Sequence, residues 1–207
     1  AGPSLLRHNL TTAAGVLPAN PLPELEFSEP LNPATITGTN IVLRENVSNS
    51  PVIASTLSLV DGRIVRVTPN TALKPNTSYL VQLFNGIQDL DGQLQRSDLS
   101  PQTLLQNLVF ATGAVEDNTP PVAIAVSPPD GFTDVALNAN IRVRFNERIN
   151  PLTVSNATIQ VTDGVTAVVP HSISFTDNNQ DILITPFSPL KANTVYSLII
   201  DGVEDNA

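Results

Sequence analysis

A ten-residue phrase occurs twice in this chain and fixes the plan of the whole. Phe27-Ser28-Glu29-Pro30-Leu31-Asn32-Pro33-Ala34-Thr35-Ile36 returns as Phe145-Asn146-Glu147-Arg148-Ile149-Asn150-Pro151-Leu152-Thr153-Val154. The offset between the two phenylalanines is 145 − 27 = 118, and at that offset residues 3–36 lie over 121–154 without a gap. Pro3, Asn20, Phe27, Glu29, Asn32, Pro33 and Thr35 each meet an identical residue. A second phrase, Leu73-Lys74-Pro75-Asn76-Thr77-Ser78-Tyr79, returns as Leu190-Lys191-Ala192-Asn193-Thr194-Val195-Tyr196. Its offset is 196 − 79 = 117, so one residue was gained or lost between the phrases. Repetition at this length means one structural unit written twice. The expected organisation is a first unit over 1–113, a linker over 114–120 and a second unit over 121–207.

Within each copy the apolar residues recur with period 2, the mark of a strand with one face buried and one wet. Leu25 and Phe27 alternate with Glu24 and Glu26; Ile141, Val143 and Phe145 alternate with Arg142 and Arg144, which read as a solvated face. Pro23 stands where Ile141 stands and has no N–H for a ladder, so this strand is expected to start later in the first copy. Further strands are expected over 41–43 and 159–161, 52–59 and 168–175, 65–67 and 182–184, and 79–83 and 196–200. Asp61-Gly62 marks a tight hairpin. Residues 4–8 form a poor first strand and 122–126 a better one. The first copy continues past Asp89 through a long connection, with a helical turn over 100–106, to a last strand over 108–113. Pro120-Pro121 stiffens the linker toward an extended form. Seven short strands broken by turns describe a β-sandwich, and Leu-x-x-x-Thr-x-Tyr predicts a tyrosine corner at Tyr79 and Tyr196. The fold class is therefore all-β, two sandwiches in tandem. The second copy ends at the equivalent of residues 89–91, so it is expected to lack its last strand and to leave the edge of 194–200 open.

These phrases together resemble the bacterial Ig-like domain of the S-layer-protein type. The resemblance rests on the Pro-Pro start, Ser127-Pro128-Pro129-Asp130-Gly131, the two copies of Phe-x-Glu-x-x-Asn-Pro-x-Thr, the tyrosine phrase, and Gly86-Ile87-Gln88-Asp89 with Gly202-Val203-Glu204-Asp205. It covers residues 20–113 and 120–207. The first copy departs from it where the Asp-Gly turn has become Thr12-Ala13. The resemblance implies tandem Ig-like sandwiches in a bacterial extracellular or cell-surface protein and no single activity, since function belongs to sites and not to folds.

Composition narrows the partners. A net charge of −9 and a pI near 4.4 repel a phosphate backbone, so nucleic acid is not an expected partner. No apolar run is long enough to insert in a bilayer, and anionic membrane surfaces are disfavoured by the same charge. There is no cysteine, so neither redox compartment is required. There is no methionine either, which suits a processed product or an excised piece. Catalysis is not expected: the two histidines, His8 and His171, lie in strands, away from any nucleophile elbow or metal-ligand spacing. The sequons at Asn9, Asn46, Asn76 and Asn156 are three-residue patterns and carry little weight.

One site is expected from the sandwich order. Glu147, the loop residues Asp201, Glu204 and Asp205, and Glu116 and Asp117 of the linker converge as oxygen donors suited to calcium. Glu29, Asp89 and Asp91 form the incomplete counterpart in the first copy. No cofactor is required; calcium is the ion such a site would take, and the alternative reading of these carboxylates is a solvated acidic rim. The functional expectation is a rigid, non-enzymatic spacer in a longer surface protein, of stalk, S-layer or adhesin type, whose partners are neighbouring Ig-like modules or other copies. The alternatives are a head-to-tail fibre built by strand complementation with residues 3–8 as donor, an adhesin module, and an accessory domain of a secreted enzyme. An adhesin needs an exposed apolar or aromatic patch, and 4% aromatic content argues against one.

Overall fold

The computed structural model describes residues 2–10, 16–96, 98–164 and 168–207. The Thr12-Ala13 substitution of the first turn lies outside them. The chain divides into two compact units, 1–118 with 206–207, and 119–205. Residues 115–117 belong to the first of these. Ala19 N–H donates to Val115 O, and the Asn20 side chain both donates to Asp117 O (2.6 Å) and accepts from Asp117 N–H (2.8 Å).

The first unit has eight strands among its described residues: β1 (Leu5–His8), β2 (Glu24–Phe27), β3 (Ile41–Glu45), β4 (Val52–Ile53), β5 (Ser55–Val60), β6 (Ile64–Pro69), β7 (Ser78–Phe84) and β8 (Leu104–Ala111). They form two four-stranded sheets, β1-β2-β6-β5 and β4-β3-β7-β8. Leu25, Phe27, Val65 and Val67 of one sheet face Leu43, Tyr79, Val81, Leu83, Leu108 and Phe110 of the other in one core, all of them buried. β2 begins at Glu24, as the proline at 23 requires, and Pro23 still serves the ladder by accepting from Val67 N–H. Asp61 and Gly62 both have positive φ, 50° and 70°, with Arg63 N–H donating to Val60 O, the mirror-image turn that matches strand twist.

The single strand expected over 52–59 is two: β4 pairs with β3 in one sheet, and β5, after Ala54, pairs with β6 in the other. The helical turn expected over 100–106 is absent. Gln102 has φ 65°, which cannot continue a right-handed helix, and β8 starts two residues later. The buried Asn85 side chain organises this connection, donating to Arg96 O, Leu99 O and Ser100 O and accepting from Arg96 N–H. It spends the amide fully, as a buried polar group must.

The second unit has six strands among its described residues: β9 (Ala123–Ser127), β10 (Ile141–Phe145), β11 (Ile159–Asp163), β12 (His171–Thr176), β13 (Asp181–Pro186) and β14 (Tyr196–Ile200). One sheet is β12-β13-β10-β9; the other is the pair β11-β14. The strand expected over 168–175 starts later, at His171 after Pro170, with Val168 only bridging to Thr162. Val143, Phe145, Ile159, Val161, Ile182 and Ile184 are buried, while Tyr196, Leu198 and Ile200 of β14 are half-buried. Among the described residues no strand lies on the far side of β14.

Candidate functional site

The two repeated phrases act on the backbone. In the second unit the Asn150 carbonyl accepts from the Thr153 hydroxyl and N–H, and Asn150 Oδ1 accepts from Leu152 N–H. The folded phrase then grips the segment after β14: Asn150 N–H donates to Glu204 O (2.7 Å), and Glu204 N–H donates to Thr153 Oγ1 (3.0 Å). The first unit repeats this. Asn32 N–H donates to Gln88 O (2.8 Å), and Gln88 N–H donates to Thr35 Oγ1 (3.1 Å). Asn-Pro-x-Thr is thus a clamp for the Gly-x-x-Asp segment. The other phrase closes the tyrosine corner, with Lys74 N–H donating to Tyr79 OH and Lys191 N–H to Tyr196 OH, both at 2.7 Å.

The clamp determines where the acidic residues lie. In the second unit it brings a carboxylate oxygen of Glu147 and one of Asp205 within 4.8 Å of each other, both residues half-buried. Asp201 and Glu204 are exposed and stand outside that grouping. Glu116 is exposed, and Asp117 is half-buried with its backbone held by Asn20; both belong to the first compact unit.

In the first unit Asp89 is buried, and its Oδ1 accepts from Asp91 N–H (2.9 Å) and Gln93 N–H (2.8 Å). Asp89 therefore caps its own loop. Asp91 is exposed and Glu29 half-buried, and among the described residues of this unit no three metal-ligating side chains meet.

Neither histidine joins a ligand cluster among the described residues. His171 is fully buried, with Nδ1 2.8 Å from Val169 O; since a carbonyl only accepts, Nδ1 carries the proton. His8 is half-buried, and burial pushes its pKa below the ordinary histidine value. Asn9 is buried, its side chain donating to Leu22 O and accepting from Glu24 N–H, a structural role for the sequon's asparagine.

The arginine face of β10 departs from the expectation of a plain solvated surface. Asp181 is fully buried and lies beneath Arg142 and Arg144, with Arg142 Nε donating to Asp181 Oδ2 at 2.9 Å. Sequence reading missed Asp181 because its partners are 39 and 37 residues away (181 − 142 and 181 − 144) and its counterpart in the first copy is Ile64. An acidic residue at the first position of an apolar strand, opposite a basic one, was the available signal.

Known proteins agree with this architecture. The bacterial Ig-like domain family matches the chain twice, over residues 2–112 and 117–207. The chain belongs to that family, as two tandem members. Among solved structures it is similar to the N-terminal part of the bacterial S-layer protein SbsC, at 11% identity and a TM-score of 0.41, covering 97% of this chain and 45% of that one. It is similar also to the S-layer protein rSbsC(31-844), at 12% identity and a TM-score of 0.41, covering 97% and 26%. The chain thus spans less than half the length of either. No curated protein matches it.

Proposed function

We propose that these tandem Ig-like domains are structural, non-enzymatic modules of a longer bacterial extracellular or cell-surface protein, setting reach for parts outside this chain. One observation carries the reading: the repeated polar residues, Asn32, Thr35, Tyr79 and their copies, are spent on hydrogen bonds that close the sandwich. Both copies keep what holds the unit together. Neighbouring modules and other copies of the protein are the partners this role implies. The test is a swap in the parent protein of residues 1–207 for an unrelated sandwich pair of equal length. Retained surface display and retained parent function are expected. Loss of a specific adhesion or catalytic activity with display intact would overturn the spacer role in favour of a binding or accessory module.

The closeness of Glu147 and Asp205 favours a second property, calcium binding in the second unit. Two carboxylates supply up to four of the six to eight oxygens that calcium takes, leaving the rest to carbonyls and water. Titration calorimetry should detect calcium, and calcium should raise the melting temperature. Glu147→Gln with Asp205→Asn should abolish both effects. No heat and no shift in the unsubstituted chain would end this reading.

A further inference from the structure

The first unit fastens a segment near its start to the segment that leaves it. Leu17 pairs with Thr112 in parallel: Leu17 N–H donates to Ala111 O (2.8 Å), and Gly113 N–H donates to Leu17 O (2.6 Å). Two residues on, Ala19 N–H donates to Val115 O (2.8 Å). Pro18 stands between the two donors, at the alternate position whose N–H the ladder does not use, so it costs no bond. The Asn20 amide closes the row, donating to Asp117 O (2.6 Å) and accepting from Asp117 N–H (2.8 Å). Leu17, Ala19, Thr112 and Gly113 are buried. Glycine at 113 permits this approach, since a β-carbon there would lie 3.1 Å from Leu17 O.

The outgoing segment is held on its other flank as well. Thr112 Oγ1 donates to Lys74 O (2.6 Å) and accepts from Thr77 N–H (3.0 Å). Thr112 N–H donates to Thr77 O, and Asn76 N–H donates to Gly113 O. Residues 111–113 therefore lie between two anchored segments and cannot swing away from 17–20.

Direction decides what such a ladder does under tension. In a parallel pair, the incoming end of one segment and the outgoing end of the other lie at opposite ends of the ladder. Tension that arrives at Leu17 and leaves after Asp117 thus pulls the two segments lengthwise in opposite senses. The five hydrogen bonds between them share that load and give way together. Loaded from one end, they would break one after another. The strands from β2 to β8 lie within the loop that the ladder closes, so load crossing the ladder bypasses them. β1 lies upstream and is held to β2, so end-to-end tension meets that pair first and the ladder next.

We infer that the first unit is load-bearing: segments 17–20 and 111–117 form a shear clamp that keeps the sandwich shut while the chain is pulled lengthwise. The use of this clamp rests on the spacer reading, since a module that sets reach at a surface also transmits pull.

The test is single-molecule stretching of the whole chain between two thiol-linked handles, which attach only where cysteine is introduced because the chain has none. One variant carries Val16→Cys and Asn118→Cys, which load the ladder from opposite ends. Another carries Leu22→Cys and Asn118→Cys, which load it from one end. At equal load the first should unfold at least about tenfold more slowly than the second. It should do so in a single opening that releases roughly 350 Å, the extended length of residues 17–117. Asn20→Ala should speed that unfolding about tenfold, because it deletes two of the bonds. Val67→Ala, a core truncation outside the ladder, should lower stability in urea at least as much. Under load it should change the rate less than about threefold. Equal rates in the two directions would overturn the inference. So would a Val67→Ala effect under load as large as that of Asn20→Ala. Either result concerns strength alone and leaves the spacer reading to the swap of residues 1–207.

Discussion

β7 and β14 begin from the same phrase and reach different states. Both follow Leu-Lys-x-Asn-Thr-x-Tyr, both have the tyrosine hydroxyl on a lysine N–H, and both pair antiparallel with the strand that follows the Asn-Pro-x-Thr clamp. β7 has β8 on its other side and buries its inward residues completely; β14 leaves them half-open. The local sequence therefore sets strand and register, while burial is decided by a neighbour far away in the chain. The outer faces of the other sheets add a second contrast. In the first copy Glu24 faces Arg66 at 2.6 Å, and Glu26 takes Arg7 at 2.6 Å. In the second copy both acids of this strand have become Arg142 and Arg144, Arg66 has become Leu183, Ile64 has become Asp181, and Arg7 has become Ala125. With Asp177, which takes Arg144 at 3.0 Å, the charges changed as a compensated set. No single member of it is interpretable alone.

The strongest way to break the comparison is through the paired phenylalanines. Phe27 and Phe145 are 0% and 1% exposed. Phe27→Ala and Phe145→Ala should each cost about 3–5 kcal/mol in urea unfolding. If Phe145→Ala costs less than about 1 kcal/mol, the register of β10 is wrong, since a one-residue slip would turn Phe145 outward. A second test uses the exchanged charges. Asp181→Asn removes the anion between two guanidiniums whose side chains are 55% and 43% exposed. Those cations rehydrate readily, so the expected cost is about 1–2 kcal/mol, below that of breaking a fully enclosed pair. A stabilised protein would show that Asp181 serves something other than these arginines. A third test compares the two corners. Tyr79→Phe should cost about 1 kcal/mol, because it leaves a lysine N–H poorly satisfied. Tyr196→Phe should cost less, because water reaches the half-open second corner. Equal costs would mean that exposure does not distinguish them.

Much of this was legible. The repeat, the alternation at Leu25–Phe27 and Ile141–Phe145, the Asp61-Gly62 turn and both tyrosine corners are local signals, each carried by a few adjacent residues. What escaped was non-local. The sheet switch at Ala54 depends on which strand lies on either side of it. The folding of the 85–103 connection depends on one asparagine and three distant carbonyls. Asp181 depends on partners in another strand. The acidic site was legible only in part. The Asn-Pro-x-Thr clamp brings Glu147 to Asp205 through bonds to Glu204, yet Asp89, the counterpart of Asp205, turns to its own loop because Asp91 and Gln93 present N–H groups to it.

The smallest expected effect is one of pH, and it separates the copies at a single position. His8 occupies the place of Val126 at the 118 offset, so only the first copy can titrate there. Burial lowers the folded-state pKa of His8 from the ordinary value of 6.5, and its buried Nδ1 has no hydrogen-bond partner among the described residues. With a lowered folded value, the unfolded chain binds the proton first as pH falls. Stability is therefore unchanged by this group well above 6.5, declines as pH drops through 6.5, and levels off below the folded value. His8→Val installs the residue of the second copy and removes the titration. The difference in melting temperature between the unsubstituted chain and His8→Val, measured at steps from pH 8 to pH 5, should be constant at the alkaline end. Below about pH 6.5 it should move steadily against the unsubstituted chain. A difference that stays flat across the whole range would show that the imidazole at position 8 is as well solvated in the folded chain as in the unfolded one. The first strand of the first copy would then be open at that position.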